Sequence, residues 1–113
     1  MSGKPVVKHD MLNTKLREEK IEEANALLAK GFEADLSGTD FRALHLCGLN
    51  TEGLDFSNSY FRMADLRGLD FRTCNMEGAS LHAAHITGCY FPDQLSPEEI
   101  IMSVEHGTRL RYR

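Results

Sequence analysis

The chain has no apolar run approaching the roughly 18 residues that a membrane-spanning helix needs, so no membrane partner is expected. Its first residues, MSGKPVVKHDM, have no apolar core behind their basic residues, and a secretory signal is not expected. Ser2 stands where N-myristoylation requires Gly. Cysteine is scarce: Cys47, Cys74 and Cys89 make an odd count with no CxxC spacing, which fits neither a closed disulfide framework nor a paired-cysteine metal site. Unpaired thiols suit a reducing, cytoplasmic setting, where free cysteine packs as a small hydrophobe. There is no glycine-rich phosphate loop and no nucleophile beside a base in a known motif. The expectation is a protein that is not an enzyme and holds no cofactor and no metal.

The net charge is also small. The net value is −4 over 113 residues, the length of a single domain, and it is unevenly placed. Residues 1–33 carry six basic and six acidic side chains, residues 34–93 carry four Arg against eight Asp and Glu, and residues 94–113 carry three of each. The negative excess lies in the middle of the chain. Direct nucleic-acid binding is therefore not expected, since affinity for the phosphate backbone depends on many cationic contacts.

What the sequence has in abundance is a period of five. Stepping from Leu36 reaches Phe41, Leu46, Thr51, Phe56, Phe61, Leu66, Phe71, Met76, Leu81, Ile86 and Phe91. Eleven of these twelve positions are large and apolar; only Thr51 departs. Two residues earlier in each unit a small or apolar residue recurs, from Ala34, Thr39 and Leu44 through to Cys89. A helix repeats its apolar face every three to four residues and a strand every two, so neither explains the pattern. A longer period runs beneath it: Gly48, Gly68 and Gly88 fall twenty apart, at places where a tight turn favours a residue without a Cβ.

In Ala34-Asp35-Leu36 and Ala64-Asp65-Leu66, and with substitutions in Leu54-Asp55-Phe56 and Leu69-Asp70-Phe71, the chain resembles the pentapeptide-repeat family, A-(D/N)-L-x-x. The resemblance covers residues 34–93 and implies an all-β solenoid, a right-handed quadrilateral β-helix in which four units make one square coil. Three coils follow: 34–53, 54–73 and 74–93. The centre residue of each unit and the residue two before it would point inward. The structural core is then Leu36, Phe41, Leu46, Phe56, Phe61, Leu66, Phe71, Met76, Leu81, Ile86 and Phe91, stacked in ladders twenty residues apart.

A solenoid this short needs a cap at each open end. Residues 1–33 supply a helix expected over about 14–30, with Leu16, Ile21, Ala24, Leu27 and Leu28 on one apolar face, Asp10 or Asn13 at its start and Gly31 as its stop. Residues 94–113 supply a second helix, about 97–106. SPEE reads as a capping box, with Ser96 as N-cap, Pro97 opening the helix and Glu99 reaching back. Ile100, Ile101 and Val104 would form its apolar face. The basic tail TRLRYR alternates as an extended segment, Arg109, Arg111 and Arg113 facing one way and Leu110 and Tyr112 the other. It would lie back on the coils or engage another chain, and Leu110 and Tyr112 are the candidate contacts of a homodimer formed through the C-terminal helix and tail.

Two outward columns carry chemistry. His45, Asp65 and His85 stand in register with Cys47 and His82 nearby, but the two outer imidazoles lie roughly 10 Å apart at the backbone, and a solvated polar ladder is the expectation. The other column is Arg42, Arg62 and His82, flanked by Asp40, Tyr60 and Met63. Arg, Tyr and exposed Met are enriched at interfaces, so Arg42, Tyr60, Arg62, Met63 and His82 form the candidate interaction face, suited to an acidic partner. The leading expectation is a rigid protein–protein interaction module with a protein partner. The family resemblance implies an alternative: a DNA-mimicking dimer that binds DNA gyrase, or a delivered effector. Three coils span only about 14 Å, roughly four base pairs, and Asp35 and Asp55 make one short acidic pair.

Overall fold

A computed structural model describes residues 4–113; Ser2 lies outside them. The centre of the chain is a β-solenoid. Parallel bridges join residues twenty apart: Asp40 to Tyr60 to Ser80, His45 to Asp65 to His85, Asp55 to Asn75, and Asp70 to Tyr90. From Phe41 to Ile86 each centre residue opens a β-turn whose closing N–H belongs to the inward residue three positions on. Leu69 N donates to Leu66 O at 3.1 Å and Ala64 N to Phe61 O at 3.0 Å. In most of these turns the third residue has left-handed φ, as at Gly48, Gly68 and Gly88, and also at Ala43 (61°) and Met63 (60°). Because the turn consumes most of each five-residue unit, one residue per side is left to pair. Among the described residues the coil therefore holds only isolated bridges and no longer strand.

The interior is filled with side chains. Phe41 stacks on Phe61 with centroids 5.2 Å apart and planes 14° from parallel, and Phe71 stacks on Phe91 at 5.7 Å. Phe56 meets Phe41, Phe61 and Phe71 edge-on, which suits the quadrupoles of aromatic rings. Leu36, Phe41, Leu46, Phe56, Phe61, Leu66, Phe71, Met76 and Leu81 are all buried. Thr51, the exception in the apolar series, is buried too, its hydroxyl bonded to the carbonyl of Asp70. Ile86 and Phe91 are only partly covered, as the final coil is roofed on one half alone.

The N-terminal helix expected over 14–30 is instead two helices, α1 (Met11–Arg17) and α2 (Ile21–Ala29). Glu19 between them has φ 61°. At 3.6 residues per turn, Leu12 and Leu16 point roughly a third of a turn away from Ile21, Ala24 and Leu28 on one straight helix. The break turns both sets onto the coil. Asp10 is the N-cap, its carboxylate accepting from Asn13 N at 2.9 Å. This segment also satisfies the first coil's open backbone. Val6 pairs beside Thr39, Arg17 reaches the carbonyl of Asp40, Glu19 accepts from His45 N at 2.7 Å, and Asn25 bridges Gly48 O (3.0 Å) and Asn50 N (2.7 Å).

At the other end α3 (Pro97–His106) starts on Ser96, whose hydroxyl accepts from Glu99 N at 3.2 Å, and ends at Gly107 with φ 75°. The capping box is half-made, because Glu99 turns to Arg111, which donates through its backbone N at 3.0 Å and Nη2 at 3.1 Å. The inward stripe is Ser103, which is buried, with Ile100 and Val104 half-buried beside it; Ile101 is exposed, one helical step off it. Ser103 sits inside because its hydroxyl accepts from Leu81 N at 2.9 Å. The tail lies back on the last coil. Gly78 N donates to Leu110 O at 2.7 Å, Leu110 N to Ala79 O at 2.8 Å, and Met76 N to the Tyr112 hydroxyl at 2.8 Å.

Candidate interaction face

In a unit that reads Asp, centre, Arg, the two charged residues flank an inward side chain and both face out. The structure pairs them: Arg42 with Asp40 at 3.0 Å, Arg67 with Asp65 at 2.7 Å, and Arg72 with Asp70 at 2.8 Å. Arg62 breaks the pattern, because Tyr60 occupies the acidic position. Its guanidinium instead meets His82 one coil away, Nη1 to Nδ1 at 2.8 Å. Only an unprotonated ring nitrogen accepts that bond.

The column Asp40, Tyr60, Ser80 does not stop at the last coil. Arg109 adds a fourth rung by pairing antiparallel with Ser80. Its guanidinium lies over the Tyr60 ring, 5.3 Å from the centroid, with Nη2 3.2 Å from the Tyr60 hydroxyl. Sequence reasoning missed Arg109, because the contact spans 49 residues and depends on the tail folding back. Among the described residues neither Arg62 nor Arg109 has a carboxylate partner. Two shallow hollows flank Tyr60. One of about 260 Å³ is lined by Lys4, Asp40 and Arg42, the other of about 340 Å³ by Arg62, Ser80, His82 and His106. Met63 stands beside them at 58% exposure. The structure thus brings Arg42, Tyr60, Arg62, Met63 and His82 onto one side and adds Arg109.

The second column is arranged otherwise. Asp65 is held by Arg67 through Oδ1 at 2.9 Å and Oδ2 at 2.7 Å, and Cys47 Sγ donates to it at 3.2 Å. Arg67 first and Cys47 second keep its carboxyl far below the usual carboxylate range, against the opposing effect of burial. His45 Nδ1 lies 3.7 Å from Asp65. No group of three His, Cys, Asp or Glu side chains converges as a metal site among the described residues. Burial, followed by the Asp65 carboxylate, pushes the Cys47 thiol up; burial pushes Cys74 up to about 11 and raises Cys89. All three thiols favour the protonated form, the opposite of an activated nucleophile.

Leu110 and Tyr112 are spent within the chain: Leu110 is 1% exposed, and the Tyr112 hydroxyl caps Met76 N. Of the two roles open to the tail, these contacts are those of a segment lying back on the coil.

Comparison with known proteins agrees with the bridges. The family model of pentapeptide repeats matches residues 43–78 and 55–92, in eight copies. No curated protein and no solved structure matches the chain. The five-residue unit, the twenty-residue rungs and the family match converge on one assignment: residues 43–92 are pentapeptide repeats.

Proposed function

We propose that this protein is a non-enzymatic, rigid interaction module that binds a protein partner through the side carrying Arg42, Tyr60, Arg62, Met63 and His82. The chain would be a right-handed quadrilateral β-helix of three coils over 34–93, capped by helices at both ends. The observation that carries the functional reading is Arg62: every other coil arginine is neutralised by an Asp on its own side, and this one is not. Backbone rungs hold these side chains at fixed spacing, so little ordering entropy is lost on binding. The filled interior, the protonated thiols and the Arg67-bound Asp65 all favour surface presentation over catalysis. Reversing the charge of Arg42 and Arg62 should abolish capture of the native partner; a partner retained by that variant contradicts the reading.

A second reading is a homodimer, which a DNA mimic would require. It is favoured by the half-open C-terminal end, where Ile86 and Phe91 are incompletely covered and Ile101 and Met102 are exposed. The acidic surface speaks against mimicry. Lys8 pairs with Asp35 at 3.3 Å, and Asp40, Asp65 and Asp70 are each held by an Arg. A monomer by light scattering that leaves gyrase supercoiling unchanged would reject it.

A further inference from the structure

Resting on the interaction face assigned above, we propose that the face takes an acidic polypeptide segment, with a carboxylate seated between Arg62 and Arg109 beside Tyr60. The residues around the two hollows include Lys4, Arg42 and Arg62, with Arg109 over Tyr60, against Asp40 as the one carboxylate. Asp40 is already bound to Arg42. The face is therefore locally basic on a chain of net charge −4. The molecule measures 36 × 28 × 22 Å, and acids on the far side lie well beyond the screening length of about 8 Å at physiological salt. An incoming carboxylate thus meets chiefly the cations of this face.

The geometry defines what fits. Arg62 spends one guanidinium edge on His82 and Arg109 spends part of its fork on Tyr60 and the carbonyl of Gly78 at 3.4 Å. Each guanidinium keeps N–H donors that these contacts do not use, and a carboxylate accepts two such donors at once. The face spans three coils, about 14 Å, which matches about four residues of extended peptide. A nucleic acid fits poorly. The four cations Lys4, Arg42, Arg62 and Arg109 fall short of about six to ten phosphate contacts on a DNA-binding surface, and Arg109 already covers the Tyr60 ring on which a base would stack.

The test is fluorescence anisotropy with a labelled octapeptide of alternating Glu and Ala, its Lys counterpart and a short DNA duplex. The acidic peptide should bind saturably and more weakly as salt rises, and the Lys peptide should not bind. Arg62→Gln should weaken binding about tenfold and Arg62→Gln with Arg109→Gln further, while Arg72→Gln, on another side, should leave it unchanged. Circular dichroism confirms the fold of each variant. Absence of saturable acidic-peptide binding, equal loss in Arg72→Gln, or tighter binding of the duplex overturns the proposal. If a native partner is lost on charge reversal but the acidic peptide does not bind, the acidic ligand is rejected and the docking face stands. If every native partner survives charge reversal, the face itself is rejected.

Discussion

Arg62 Nη1 lies 2.8 Å from His82 Nδ1 across one coil rise, a contact between two side chains twenty residues apart. A guanidinium only donates, so the neutral ring must accept at Nδ1 and carry its proton on Nε2. Long-range ¹⁵N correlation of His82 at alkaline pH should show the Nε2–H tautomer. Arg62→Ala, which removes the donor, should weaken that bias; a dominant Nδ1–H form in the wild type would contradict the geometry.

The phenylalanine ladder makes the middle of the solenoid its most sensitive point. Phe61 is fully buried and touches Phe41, Phe56 and Phe71, whereas Phe91 is half-covered at the open end. Phe61→Ala should cost about 3–5 kcal/mol by urea denaturation, and Phe91→Ala about 2 kcal/mol or less. Equal losses at the two sites would mean that the end is sealed.

The tail acts as a lid strand. Leu110→Ala should destabilise the chain by about 2–5 kcal/mol without changing its mass in solution. A change in oligomeric state with little loss of stability would return Leu110 to an intermolecular role.

Acid should loosen the outer surface. Asp65 and Asp70 are lowered chiefly by Arg67 and Arg72, Asp35 chiefly by Ser37, and Glu99 chiefly by Arg111. Folded values below the unfolded ones, about 4, mean that their stabilisation is complete above roughly pH 5. It is lost as pH falls from there toward the folded values. Melting temperature should drop below about pH 4, and less steeply in Asp65→Asn; identical pH profiles would show that Asp65 contributes nothing.

The coil was legible because every unit repeats the same inward pair, so a single misfit such as Thr51 did not blur the register. The break at Glu19 was not. No Gly or Pro marks it, and its cause is the direction of two apolar sets that only the coil end reveals. Glu99 was read as a capping-box partner, yet the returning tail offers Arg111 as a better one. The face showed the same division. The column Arg42, Arg62, His82 follows from the twenty-residue period, while Arg109 enters it only through a contact that no local pattern encodes.

The most direct measurement is comparative capture from the native host, with wild type, Arg42→Glu/Arg62→Glu and Arg72→Glu as matched baits read by mass spectrometry. A protein should be held by the wild type and by Arg72→Glu and lost by the double reversal. If every protein bound by the wild type is still bound by the double reversal, the Tyr60 face is not the interaction surface.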